Sequence, residues 1–184
     1  MENERSAVVA ALEAQLRRLE GTGFAGLIPE VGSNLAYSVR SPKSPSDVAA
    51  VPGRIRNAMG KPVFLNPQFG ASTHVASTII EASRHDPTIR SALNIRYSES
   101  IVDALEGMGL EIAFVDRVSE PEDVGRREGA SVPWVIARAI KDRGSVPDAV
   151  YHKGAVGKEP IVQLLGKDPE QVVTIALRLL EALH

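Results

Sequence analysis

The chain contains no cysteine in its 184 residues. That excludes a disulfide framework, a thiolate zinc centre and a thiol nucleophile, and it leaves the redox compartment open. Histidine is scarce too. The four present show no paired helical spacing, so no metal ligands are assigned. Excess positive charge is also missing: the formal net charge is -2, whereas general affinity for a phosphate backbone needs Lys and Arg in surplus over one face. Direct nucleic-acid binding is therefore not expected. No apolar run is long enough to span a bilayer, and the acidic start Met1-Glu2-Asn3-Glu4-Arg5 does not read as a signal peptide, so a cytoplasmic protein without membrane contact is expected. Neither an internal repeat, a low-complexity tract nor a domain linker is evident. With 43% hydrophobic, 24% charged and 4% aromatic residues, the composition suits one α/β domain over residues 1–184, large enough to bury a core without staples.

Periodicity assigns the elements. Val8, Val9, Leu12, Leu16 and Leu19 mark a helix over Ser6–Glu20, ending at Gly21. Asn34–Arg40 alternates as a strand, and Ser46-Asp47 starts a short helix through Val51. Arg54–Ala58 and Pro62–Leu65 read as short strands. Ser72–Arg84 is helical with Val75, Ile79 and Ala82 inward. Strands are then expected at Leu93–Tyr97, Glu111–Asp116, Ala149–Tyr151 and Ile161–Leu165. Helices are expected at Ser98–Met108, Val132–Arg143 and Asp168–Leu183, the last with Pro169 in its first turn, and a short charged helix or turn at Pro121–Arg127. Alternating strands and helices imply a sheet covered on both faces, with antiparallel pairing around residues 34–65.

Against this background, glycines at element junctions carry polar neighbours. Gly70-Ala-Ser-Thr-His74 opens a helix, whose free amides and dipole suit a phosphate beside His74; equally, Ser72 can be a plain N-cap and His74 a surface residue. Gly53-Arg54 offers a guanidinium fork to a diphosphate, or a solvated charge. Ser33-Asn34 follows Gly32 in a polar turn. Asn94 and Arg96 share one face of their strand and Tyr97 takes the other, which fits a pocket wall or an exposed sheet face. Tyr151-His-Lys-Gly154 leads into Gly157-Lys-Glu-Pro160, a glycine loop whose Lys153, Gly154 and Lys158 can wrap an anion. It is not a Walker loop, since neither Ser nor Thr follows Lys158.

Taken in order, Pro29-Glu-Val-Gly-Ser-Asn34, Val51-Pro-Gly-Arg54, Phe69-Gly-Ala-Ser-Thr-His74, Asp86 to Ser98 and the 151–160 loop resemble the archaeal-type thiamine-phosphate synthase (ThiN) family, from about Ser6 to Leu183. The resemblance implies a three-layer α/β/α fold with a mixed, largely antiparallel sheet, similar to class II aldolase and epimerase domains. It implies a transferase joining hydroxymethylpyrimidine diphosphate to a thiazole phosphate, giving thiamine phosphate and diphosphate. Arg54 and His74 are then the catalytic pair, and Ser33, Asn34, Ser72, Asn94, Arg96, Lys153, Gly154 and Lys158 the substrate contacts. Magnesium is expected only through the substrate diphosphate. The alternative is a thiamine-phosphate sensor domain of a transcriptional regulator, which need not keep Arg54 and His74. An aldolase-like lyase would need a metal cluster absent here. Whether the chain forms a homo-oligomer, and whether it is fused to or partnered with a hydroxymethylpyrimidine phosphate kinase, stays open.

Overall fold

The computed structural model describes residues 2–127 and 129–183. Helix α1 (Glu2–Leu19) begins four residues earlier than periodicity suggested. Glu2 and Glu4 sit in its first turn and Arg17 and Arg18 in its last, each sign opposing the helix dipole. Its stripe of Val8, Leu12, Leu16 and Leu19 is buried, while Val9 is only partly so. Strand β1 (Leu35–Ser38) follows. The expected helix from Ser46 through Val51 does not form. A 3-10 turn at Pro45–Asp47 gives way to strand β2 (Val48–Ala50), which pairs with β1 at Ala36↔Ala50 and Ser38↔Val48. The run is apolar on both sides and fully buried, so a paired strand satisfies its backbone where one helical turn would not.

Strands β3 (Arg56–Ala58) and β4 (Lys61–Val63) pair only with each other as a small hairpin. The two-residue β5 (Gln68–Phe69), unsignalled in the sequence, closes one sheet edge against β2. Next come α2 (Thr73–His85), β6 (Ser91–Arg96), α3 (Glu99–Gly107), β7 (Ile112–Phe114), α4 (Glu122–Arg126) and α5 (Ser131–Arg143). The chain ends with β8 (Ala149–His152), β9 (Ile161–Gly166) and α6 (Pro169–Ala182). The main sheet has seven strands in the order β5-β2-β1-β6-β9-β8-β7. Only β7 and β8, joined through α4 and α5, run parallel. Antiparallel pairing thus extends well beyond residues 34–65, because the loop after β8 returns the chain directly into β9, between β8 and β6.

Strand alternation separates two cores. Leu35, Leu93, Ile95, Val162, Leu164 and Ala149 face α1, α3 and α6. Ala36, Ala50, Ala92, Val150 and Leu165 face α2 and α5. Burying one such leucine stabilises the fold by roughly 1.5–3 kcal/mol, so each layer is held by many independent contacts. The α2/α5 side does not stay apolar along its whole length. Ala92 is followed on its face by Asn94, Val150 by His152, and Leu165 is preceded by Gln163. This change from apolar to polar leaves a cavity at one end of the sheet, under the first turns of α2 and α5.

Candidate active site

The cavity has a volume of about 470 Å³ and is lined by Arg54, Ser72, His74, Arg117, His152 and Lys158, among others. Helices α2 and α5 both direct their amino termini at it, through Ser72 and His74 and through Ser131 and Val132. Neither helix is capped by a side chain: Ser72 occupies the N-cap of α2 without a capping bond, and α5 starts after Ala130. By contrast α3 and α6, which face elsewhere, are capped by Ser98 and Asp168. Uncapped amides at two helix dipoles make the cavity attractive to anions.

Arg54 is held for this task at a conformational cost. Its φ of 70° lies in the left-handed region, unusual for a long side chain. Gly32 makes room for it: a Cβ there would come within 3.1 Å of the Arg54 Cβ. The guanidinium Nη1 donates to the Val31 carbonyl at 2.7 Å, leaving its other N–H groups for a ligand. The Val31 loop is anchored in turn by Glu159, whose carboxylate oxygens accept from the amides of Glu30 (2.7 Å) and Val31 (3.0 Å). His74 keeps solvent access at the rim. Loss of solvation on its cavity side, and then the Arg54 charge, lower its pKa below the usual histidine value. It is therefore a neutral imidazole at pH 7, with one N–H to donate and one nitrogen to accept.

Asn34 and Asn94 line the cavity, but their amides are spent on backbone. Asn34 exchanges hydrogen bonds with Val51 N and O (2.9 and 3.0 Å). Asn94 accepts from Asn34 N (2.7 Å) and donates to Gly32 O (3.1 Å). Together they tie the 31–34 turn and the 51–54 turn into one unit, so their part is to position Arg54. Lys158 reaches the wall through Glu120 Oε2 (2.6 Å) and Ser131 Oγ (3.2 Å).

Four of the sequence-selected residues do not join them. Ser33 is fully buried behind the wall, bridged to Ile55, with its hydroxyl unpartnered. Arg96 lies exposed at the end of β6, outside the residues that line the cavity. Lys153 shares the face of Tyr151, two residues away, and so points to the other layer. There its Nζ lies 5.9 Å above the Tyr97 ring and 3.6 Å from Glu99. Tyr97 itself stacks on Tyr151, on the side opposite Asn94. Gly154 shapes the loop instead of lining the cavity. A Cβ there would overlap the Lys158 carbonyl, and its amide donates to His152 Nδ1 at 3.2 Å. That bond places the proton of the neutral His152 ring on Nε2. Burial, followed by Arg117, lowers the His152 pKa to about 4.

The structure adds residues to which the sequence reading gave no role. Thr78 donates to Gln163 Oε1, and among the described residues the Gln163 amide N–H groups have no side-chain or backbone acceptor. Arg117 and Glu120, each with a side chain only 5% exposed, form an ion pair of 3.1 Å. The signals were present but faint: Thr78 interrupts the apolar stripe of α2, Gln163 interrupts an apolar strand, and Arg117 follows the carboxyl end of β7. Among the described residues there is no group of three or more His, Asp or Glu that could hold a metal ion.

Comparison with known proteins gives this geometry a family. The sequence profile of "Thiamine-phosphate synthase ThiN" matches residues 11–178. The chain belongs to the ThiN family. It is 44% identical over 158 residues to the thiamine-phosphate synthase ThiN of Methanothermobacter thermautotrophicus, covering 85% of this chain and 83% of that protein. The solved C-terminal domain of a phosphomethylpyrimidine kinase superposes with a TM-score of 0.91 at 38% identity, over 96% of this chain and 100% of that domain. L-fuculose-1-phosphate aldolase from Thermus thermophilus shares the fold, with a TM-score of 0.54 and 14% identity over 94% of this chain and 91% of the aldolase. The ThiN fold is thus the α/β architecture with a mixed, mainly antiparallel sheet that the aldolase also uses.

Proposed function

We propose that the protein is a cytoplasmic thiamine-phosphate synthase, one domain that joins hydroxymethylpyrimidine diphosphate to a thiazole phosphate. The observation that carries this reading is the meeting of Arg54, neutral His74 and the uncapped α2 terminus in one cavity. In the reaction the bond between the pyrimidine methylene carbon and the diphosphate oxygen breaks, and its electron pair leaves with the diphosphate. The electron-rich aminopyrimidine bears the resulting positive charge. The thiazole nitrogen then donates its lone pair to the methylene carbon, forming the C–N bond of the thiazolium product. That nitrogen carries no proton, so no base is required. The protein's tasks are to align two rings and to meet the charge that grows on the leaving group.

Arg54 supplies a fixed positive charge, already oriented by Val31 and paid for in backbone strain. His74 adds an N–H donor, and a bound diphosphate raises its pKa, so the imidazole can also protonate the departing group. Ser72 and the first-turn amides of α2 complete the anion cradle. Magnesium would be held through the substrate diphosphate. Among the described residues it finds no cage, because Glu159 is committed to two backbone amides and Glu120 to Arg117 and Lys158. A hydroxymethylpyrimidine phosphate kinase, fused or separate, supplies the diphosphate substrate, in keeping with the kinase whose C-terminal domain this chain resembles.

The test is to incubate the protein with both substrates and magnesium and to quantify thiamine phosphate and released diphosphate. Equal amounts of the two products are expected, and His74→Asn should lower turnover by ~100-fold, the typical loss for one preorganised donor. Binding of thiamine phosphate with no synthesis would make the protein a sensor. Wild-type turnover by the variant would remove His74 from the reaction.

A further inference from the structure

The far wall of the cavity holds a second set of cations, remote in the chain from Arg54. Arg54 enters from the β2 side of the sheet and Arg117 from β7 at the opposite edge. Arg117 is 7% exposed, and its Nε has no hydrogen-bond partner among the described residues. Its one ion pair among the described residues is with Glu120, which must also serve Lys158 at 2.6 Å, so two cations share one carboxylate. Glu120 Oε1 is likewise buried and unpartnered. A buried guanidinium N–H without an acceptor is costly, and the Arg117 side chain that carries it is part of the cavity wall. The uncapped amino terminus of α5 opens onto the same wall through Ser131 and Val132. His152, neutral and with its proton fixed on Nε2, adds a donor that carries no charge.

We propose that Arg117, Lys158 and the α5 amino terminus form a second anion subsite that takes a phosphate monoester. Resting on the synthase reading above, the ester is the thiazole phosphate, since Arg54 and His74 hold the diphosphate of the other substrate. The two arginines then grip the two reactants by their phosphates from opposite edges of the sheet. The rings meet over the polar floor of Asn94 and Gln163. Glu120 acts as the internal counter-ion that keeps Arg117 and Lys158 in place when no phosphate is bound, and it competes with the ligand for both.

The experiment compares binding of the phosphorylated thiazole and its unphosphorylated alcohol by calorimetry, together with KM for the pyrimidine diphosphate. Wild type should prefer the phosphorylated ligand. Arg117→Gln and Lys158→Met should each weaken that ligand by about 10- to 100-fold, the range for lost charged hydrogen bonds. Affinity for the alcohol and KM for the diphosphate substrate should change by less than about threefold, below that range. Glu120→Gln should tighten the phosphorylated ligand, a gain that a purely structural role would not produce. Lys158, with a side chain 33% exposed, decides the matter if Arg117→Gln fails to fold. Equal losses for ester and alcohol, a raised diphosphate KM, weakened ester binding in Glu120→Gln, or no wild-type preference would each overturn the subsite. A wild-type protein that makes no thiamine phosphate refutes the synthase reading, while the binding comparison still decides the subsite on its own.

Discussion

Arg54 allows stability and activity to be separated with two substitutions at one position. Its φ of 70° costs a residue with a Cβ about 1–2 kcal/mol. Arg54→Ala keeps that strain and loses the bond to Val31 O, worth about 1 kcal/mol. Arg54→Gly loses the same bond but removes the strain, against roughly 0.5–1 kcal/mol of extra chain entropy in the unfolded state. The glycine variant should therefore be about 1 kcal/mol more stable than the alanine variant and close to wild type. For a chain of this size that difference shifts the melting temperature by about 2–4 °C. Both variants should lose ~100-fold or more in thiamine phosphate formation, because neither offers a charge to the leaving group. Thermal melts alongside a product assay read both quantities. If the glycine variant melts no higher than the alanine variant, the left-handed strain at this position is not real. If either keeps wild-type turnover, Arg54 is not the diphosphate contact.

Two further outcomes follow from the cavity wall. His152 has a folded-state pKa of about 4 against a reference of 6.5, so the unfolded chain binds the proton more readily. Its stabilising contribution is complete above pH 6.5 and is lost as pH falls towards 4, amounting to about 3 kcal/mol; denaturant titrations at pH 7 and pH 4 should show the loss, and His152→Asn should flatten it. An unchanged pH dependence in that variant would assign the acid sensitivity elsewhere. Gly154→Ala would combine a φ of 79° with overlap of the Lys158 carbonyl and a contact of 3.1 Å to Pro160 Cδ. It should destabilise by roughly 2 kcal/mol or more or displace Lys158, and a variant with wild-type melting and ester affinity would show that the loop tolerates a side chain there.

Long periodic segments were legible because their burial pattern is written in local spacing. The stripes of α1, α2 and α3, and the Asp168–Pro169 start of α6, came directly from the order of apolar residues and caps. Val48–Ala50 was not legible. Three small apolar residues favour neither a helix nor a strand until a neighbour pairs with them, and that neighbour is β1. The two-residue β5 likewise exists only through β2. The site divides in the same way. Glycine-flanked Arg54 and His74 stood out as residue types that folding alone does not require. Lys153 stood out equally, yet it follows the end of β8 and turns with Tyr151 to the opposite layer.

By itself the sequence determined that no thiol or disulfide chemistry was available, which segments were amphipathic, and that phosphate-binding residues sat beside glycines at element ends. Tertiary structure decided which of those residues meet. Only the strand order sets Arg54 and Arg117 at opposite edges of one cavity, and only burial keeps His152 neutral down towards pH 4 and leaves the Arg117 Nε without a partner among the described residues. Charge, burial and unmet hydrogen bonds are properties of surroundings, and the surroundings of each of these residues come from segments distant in the chain.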